Sequence, residues 1–110
     1  MSSFAEEHPE VIKAFHMFWD SYPGVATLVH KSYEIVAANQ LAREIGRKPG
    51  VICAKLGSPE EHKGCQAKAA LKQKQAKWIK KSYPDADRLI FWIPLDGYPD
   101  YYVHFSAAIE

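Results

Sequence analysis

Apolar residues recur at helical spacing between Pro9 and Asp20, where Val11, Ile12, Phe15, Phe18 and Trp19 mark one side of an amphipathic helix. Pro9 stands in the first turn, where its missing amide hydrogen is not needed, and Glu10 complements the positive end of the helix dipole. Ser21-Tyr22-Pro23-Gly24 stops the helix, because Pro and Gly together favour a turn. The period then changes. Val25 to His30 is short, β-branched and apolar, and Glu34 to Ala38 follows after Lys31-Ser32-Tyr33, a spacing that predicts an antiparallel hairpin. Asn39 is placed to cap a helix over Gln40 to Ile45, its side-chain oxygen accepting a first-turn amide, and Gly46 is placed to end it.

Arg47 to Gly50 reads as loop, and Val51 to Leu56 as one short helical turn before Gly57. Ser58 and Glu61 make a capping box, with Pro59 at the first helical position. A further helix from Cys65 to Lys74 gathers Ala67, Ala70 and Leu71 on one face. The last third is aromatic and β-branched. It predicts strands over Lys77 to Tyr83, Leu89 to Leu95 and Tyr101 to Ile109, with turns at Pro84-Asp85 and Asp96-Gly97. The expected architecture is α+β: a five-stranded antiparallel sheet with helices over one face. An N-terminal helix (1–21) precedes the domain proper (22–110). Trp78, Phe91, Trp92, Tyr101, Tyr102 and Phe105 alternate along the closing strands, so about half should face the helices.

Composition narrows the function. A chain of 110 residues, 47% hydrophobic and 25% charged, suits one folded domain that buries roughly two thirds of its unfolded surface. With 14 basic and 13 acidic residues the formal charge is +1, so no global field draws it to nucleic acid or to an anionic membrane. Lys63, Lys68, Lys72, Lys74, Lys77, Lys80 and Lys81 form a stripe with no acid between them. No nucleic-acid motif accompanies it, so it reads as a solvated face. No apolar stretch has membrane-spanning length, and no signal peptide precedes the first helix, so a cytoplasmic protein is expected. Two cysteines, Cys53 and Cys65, are too few for a disulfide framework and should remain buried thiols.

Four stretches, in order, resemble the PAS family from about Tyr22 to the end. They are Tyr22-Pro23-Gly24 before the first strand; Ile35-Val36-Ala37-Ala38-Asn39 ending in a capped helix; Gly50-Val51-Ile52-Cys53 opening the short-helix region; and Ile93-Pro94-Leu95 with Val103-His104-Phe105 in the closing hairpin. The resemblance implies a regulatory role: a small ligand or cofactor held between sheet and helices, dimerisation through a flanking helix, and a signal passed to an output domain or protein. It implies either a stand-alone PAS protein or a piece of a kinase, cyclase or transcription regulator. Cys53 partly resembles the adduct cysteine of the light-oxygen-voltage branch. Ile52, Ala54 and Gly57 replace the Asn, Arg and Gln of that motif, so no photoactive flavin is expected.

The candidate pocket residues are Cys53, Trp78, Phe91 and Tyr102, and the cofactor is left unidentified. Phe15, Phe18 and Trp19 form a stripe too broad for one helix to bury, so it either folds back on its own sheet or forms a homodimer contact. Cys53, His62 and Cys65 offer an alternative metal or thiol-redox set, although no Cys-x-x-Cys pair supports it. His62 is also the nearest candidate for a haem ligand, but Glu60, Glu61 and Lys63 give it a solvated setting. His8, His16 and His30 read as surface or turn residues. No phosphate-cradling loop and no nucleophile with a recognisable base is present, so a non-enzymatic module is expected. The leading reading is a ligand-binding sensory module. A redox or metal protein and a purely structural dimerisation domain are its rivals.

Overall fold

A computed structural model describes residues 7–55 and 64–109 of the chain. Its five strands are β1 (Ala26–His30), β2 (Ile35–Ala38), β3 (Lys77–Ser82), β4 (Asp87–Leu95) and β5 (Tyr98–Ile109). They form one antiparallel sheet in the order β2-β1-β5-β4-β3. The longest strand, β5, therefore lies in the middle, with Val103 between Leu28 of β1 and Ile93 of β4. The expected α+β architecture is the one observed.

Side chains alternate between two faces, and each face has its own core. On the inner face Val29, Ile35, Trp92 and Tyr102 pack against Ala42, Cys53, Ala67 and Ala70 from the connecting helices. Those helices are α2 (Gln40–Glu44), a 3₁₀ turn (Cys53–Lys55) and α3 (Ala67–Gln73). On the outer face Ala26, Leu28, Val36, Ala37, Tyr101 and Val103 pack against Val11 and Phe15 of α1 (Pro9–Trp19). The sheet is thus covered on both sides along β1, β2 and β5: the connecting helices take the one face expected of them, and α1 folds back on the other, one of the two placements open to it. A bulge helps this division: Leu28 pairs with Ala37 and Val29 with Ile35, so Val36 has no opposite number and joins Ala37 on the outer face.

Asn39 joins these parts. Its side-chain oxygen accepts from Ala42 N at 3.0 Å, the expected helix cap, and also from Ala26 N at 3.1 Å. Its amide donates to the carbonyls of Trp19 and Gly24. The residue is fully buried, and these four bonds fix the end of α1, the following turn, β1 and α2 together. Gly46 follows α2 with a φ of 86°, the left-handed conformation expected of a terminating glycine. The capping box at Ser58, Pro59 and Glu61 lies outside the described residues.

Candidate functional site

Between the inner face of β3, β4 and β5 and the helical layer lies a cavity of about 440 Å³. Its position follows from the strand phases. Odd positions of β3 turn inward, placing Ile79 and Lys81 on the wall; even positions of β4 do so, adding Arg88, Ile90 and Trp92; and β5 adds Tyr102, His104 and Ser106. The helical side contributes Ile45 and Arg47 from the end of α2, Cys53 from the 3₁₀ turn and Cys65 ahead of α3. Tyr33 reaches the cavity from the β1–β2 turn, where its φ of 72° is a conformation that non-glycine residues seldom adopt.

One wall is a planar aromatic surface. Trp92 stacks on His104 with ring centroids 5.1 Å apart and planes within 18°. His104 Nδ1 lies 3.0 Å from the carbonyl of Phe91, and because a carbonyl only accepts, Nδ1 carries the proton. The imidazole is thereby fixed in plane against the indole.

The mouth near the end of β3 is cationic. Lys81 and Arg88 are directly opposite each other in the β3–β4 register and share the inner face. Arg88 donates through Nη2 to Asp85 Oδ2 at 2.8 Å, and its guanidinium lies over the Tyr83 ring at 5.2 Å. Its Nε is buried and has no acceptor among the described residues. Arg47 is a third cation on the wall, and no carboxylate lines the cavity among the described residues.

The thiol side is kept neutral. Burial pushes the Cys53 thiol up, and Cys65 pushes it further, while Arg47 opposes both. Burial likewise raises the Tyr102 phenol well above its ordinary value, with Cys53, Cys65 and Tyr33 adding to the shift. Tyr33 is raised mainly by burial, then by the two cysteines. Cys53, Tyr102 and Tyr33 therefore face the cavity in their protonated forms.

Two of the four pocket candidates, Cys53 and Tyr102, line the cavity. Trp78 and Phe91 do not. Trp78 alternates with the inward-facing Ile79 and is 61% exposed on the outer face. Phe91 stacks on Phe105 at 4.7 Å on that same side, beneath Trp19, which meets Phe105 at 4.8 Å. The sequence reading missed Trp92, His104 and the cations. Strand alternation would have found them once the phase was anchored at Tyr102, because Tyr102 and His104 are two residues apart and Trp92 pairs with His104.

Phe15 is buried against the chain's own sheet, and Trp19 packs on Tyr22 and Phe105 while staying partly exposed. Phe18, one helical step off that stripe, is 76% exposed beside Met17. Cys53 and Cys65 share the cavity wall, but Cys65 is exposed, contrary to the expectation of two buried thiols. His62, the third member of the alternative metal set, lies outside the described residues. Among those residues no group of three or more His, Cys, Asp or Glu side chains is arranged to hold a metal. His30 is buried under the edge of Tyr101 rather than at the surface. Lys81 departs from the solvated lysine stripe by facing the cavity.

Comparison with solved structures gives the fold its name. A domain of an HTR-like protein from Haloarcula marismortui superposes with a TM-score of 0.64 at 18% identity, covering 80% of this chain and 99% of that one. A sensory box sensor histidine kinase from Vibrio cholerae gives 0.67 at 14% identity, covering 94% and 93%. The PAS domain of the histidine kinase ThkA gives 0.58 at 14% identity, covering 78% and 99%. The chain has the PAS fold. No protein-family model and no curated protein matches the sequence.

Proposed function

We propose that this chain is a sensory module in signal transduction that binds a small organic ligand between its sheet and helices and reports occupancy to an output domain or protein. The observation that carries this reading is the cavity. Protein interiors ordinarily leave few voids larger than a water molecule, whereas 440 Å³ falls within the range of about 300–1,000 Å³ typical of small-ligand sites. The convergence of a flat aromatic wall, apolar Ile79 and Ile90 and a few cations on that space is the pattern of a recognition site. The likeness to sensor domains supports the signalling half of the reading.

Binding transmits a signal only if the ligand has different affinity for two states of the protein. The elements placed to change are those that close the cavity without belonging to the sheet, α2 and the 3₁₀ turn at Cys53. The role is non-enzymatic: the cavity's one buried thiol is held protonated, and the module recognises its ligand without transforming it. We further propose a homodimer through the exposed Met17 and Phe18 of α1, and a cytoplasmic setting that keeps Cys53 and Cys65 as thiols. Among the described residues no helix is long and apolar enough to cross a membrane.

Native mass spectrometry with a UV-visible spectrum on freshly purified protein tests the reading. A mass excess or absorption band that is released on denaturation supports it. A clean apo mass, with no thermal stabilisation by any member of a metabolite library, would sink it and leave a structural dimerisation domain. One observation favours a thiol-redox alternative, namely that Cys53 and Cys65 line the same cavity. Loss of both thiols on mild oxidation, reversed by a reductant, would favour that alternative.

A further inference from the structure

Resting on the ligand-binding reading, we infer that the cavity selects a planar aromatic carboxylate, with its acid group at Arg88 and Lys81 and its ring against Trp92. Three independent features point to this class. First, Lys81 and Arg88 face each other across the β3–β4 register on the cavity side, which gathers positive charge at that end of the cavity. Second, Asp85 satisfies Arg88 only through Nη2, leaving the buried Nε donor without an acceptor among the described residues. A guanidinium with an unmet Nε donor suits a carboxylate oxygen, which accepts a charge-assisted N–H bond. Third, the space beyond these cations is apolar and bounded by a flat surface, the Trp92–His104 stack, with Ile79 and Ile90 beside it.

Charge and shape thus lie in one order along the cavity. The cationic mouth is built by Lys81 and Arg88, one strand step outward from Ile79 and Ile90, which in turn sit one step from Trp92. A ligand with a charged end and a flat apolar body matches that gradient. An inorganic anion would leave the aromatic wall unused, and a neutral aromatic would leave the Arg88 Nε donor unmet. The neutral forms of Tyr33, Cys53 and Tyr102 on the far side put no competing negative charge in the ligand's path.

The test is calorimetric titration of the whole chain with 2-naphthoate and with 2-naphthamide, which share a ring system and differ in charge. The acid should bind at least about tenfold more tightly, the usual scale of one charge-assisted hydrogen bond. That preference should shrink towards unity in Arg88→Gln and fall in Lys81→Gln. The ratio of acid to amide affinity is read within each variant, so a general loss of stability does not imitate the effect. Equal binding of the two probes, or an acid preference that survives both substitutions, overturns the inference while leaving a ligand-binding cavity in place. Failure of both probes to bind overturns it as well, and the co-purification experiment then decides separately whether the cavity holds any ligand.

Discussion

The side-chain amide of Asn39 donates to the carbonyl of Gly24 at 2.8 Å, joining the start of α2 to the turn that leads out of α1. The same side chain bonds Trp19, Ala26 and Ala42, so its removal strands the Gly24 carbonyl and two amides, while the Trp19 carbonyl keeps the Tyr22 amide. Asn39→Ala should cost about 2–4 kcal/mol, more than an ordinary cap, because the stranded groups lose water as well as their partner. Urea unfolding followed by circular dichroism would measure it. Asn39→Asp should lose most of that stability too, since a carboxylate keeps the two acceptor bonds but faces two carbonyl oxygens. A loss of no more than about 1 kcal/mol in Asn39→Ala would show that Asn39 acts only as a helix cap.

Gly24 itself is needed for space rather than for backbone freedom. A β-carbon there would stand 2.8 Å from the Tyr22 ring and 2.9 Å from the carbonyl of Ser106. Tyr22 cannot easily move aside, because its hydroxyl donates to that same carbonyl at 2.7 Å. Gly24→Ala should therefore destabilise by about 1–3 kcal/mol, the usual cost of overpacking. Adding Tyr22→Ala should relieve part of the clash, so the double variant should lose less than the sum of the two single losses.

Asn39 also shows how far the sequence could be read. Its role as a cap needed only local spacing, which is why the helices and strands fell close to their expected bounds. Its bonds to Trp19 and Gly24 depend on where α1 returns, a long-range event that spacing does not encode. The same limit explains Phe91 and Tyr102. Alternation says that each strand has two faces, but only the β4–β5 register reveals that Phe91 pairs with the outward Phe105 while Tyr102 faces in. Arg88 carries no signal in the sequence and Lys81 reads as part of a solvated face, because a charged residue at a strand end ordinarily faces water.

Phe15 and Phe18 belong to one helix and should respond in opposite ways. Phe15 is 4% exposed within the outer core, so Phe15→Ala should cost about 3–5 kcal/mol of monomer stability. Phe18→Glu, at an exposed position, should change the unfolding free energy of the isolated subunit by no more than about 0.5 kcal/mol. If α1 presents Met17 and Phe18 to a second subunit, sedimentation equilibrium should show that Phe18→Glu weakens or abolishes the dimer. A dimer unaffected by that substitution would remove α1's outward face from the interface.

The two thiols should separate on alkylation. Cys65 is exposed, whereas Cys53 is buried and has its thiol pushed up, which lowers the fraction of reactive thiolate. Iodoacetamide near neutral pH should label Cys65 well before Cys53, as peptide mass mapping would show. A ligand that fills the cavity should slow both reactions, since both residues line it. Faster labelling of Cys53 would mean that the 3₁₀ turn carrying it opens readily.

His30 supplies the pH dependence. Ser32 N–H donates to its Nδ1 at 3.1 Å and the Ser32 hydroxyl lies 2.9 Å away, so Nδ1 serves as an acceptor and carries no proton. Burial pushes the imidazole below its ordinary value; Asp100, Glu7 and Glu34 oppose that shift, and Lys31 adds to it. The unfolded chain therefore takes up a proton at a higher pH than the folded one. The stability that neutral His30 contributes is complete above the unfolded value, about pH 6.5, and is lost as pH falls towards the lower folded value. Below that value both states are protonated and the loss stops growing. An NMR titration should place the His30 ring below 6.5, and unfolding midpoints should drop more between about pH 7.5 and pH 5.5 in the native protein than in His30→Gln. Parallel midpoints in the two proteins would show that the burial of His30 carries no proton linkage.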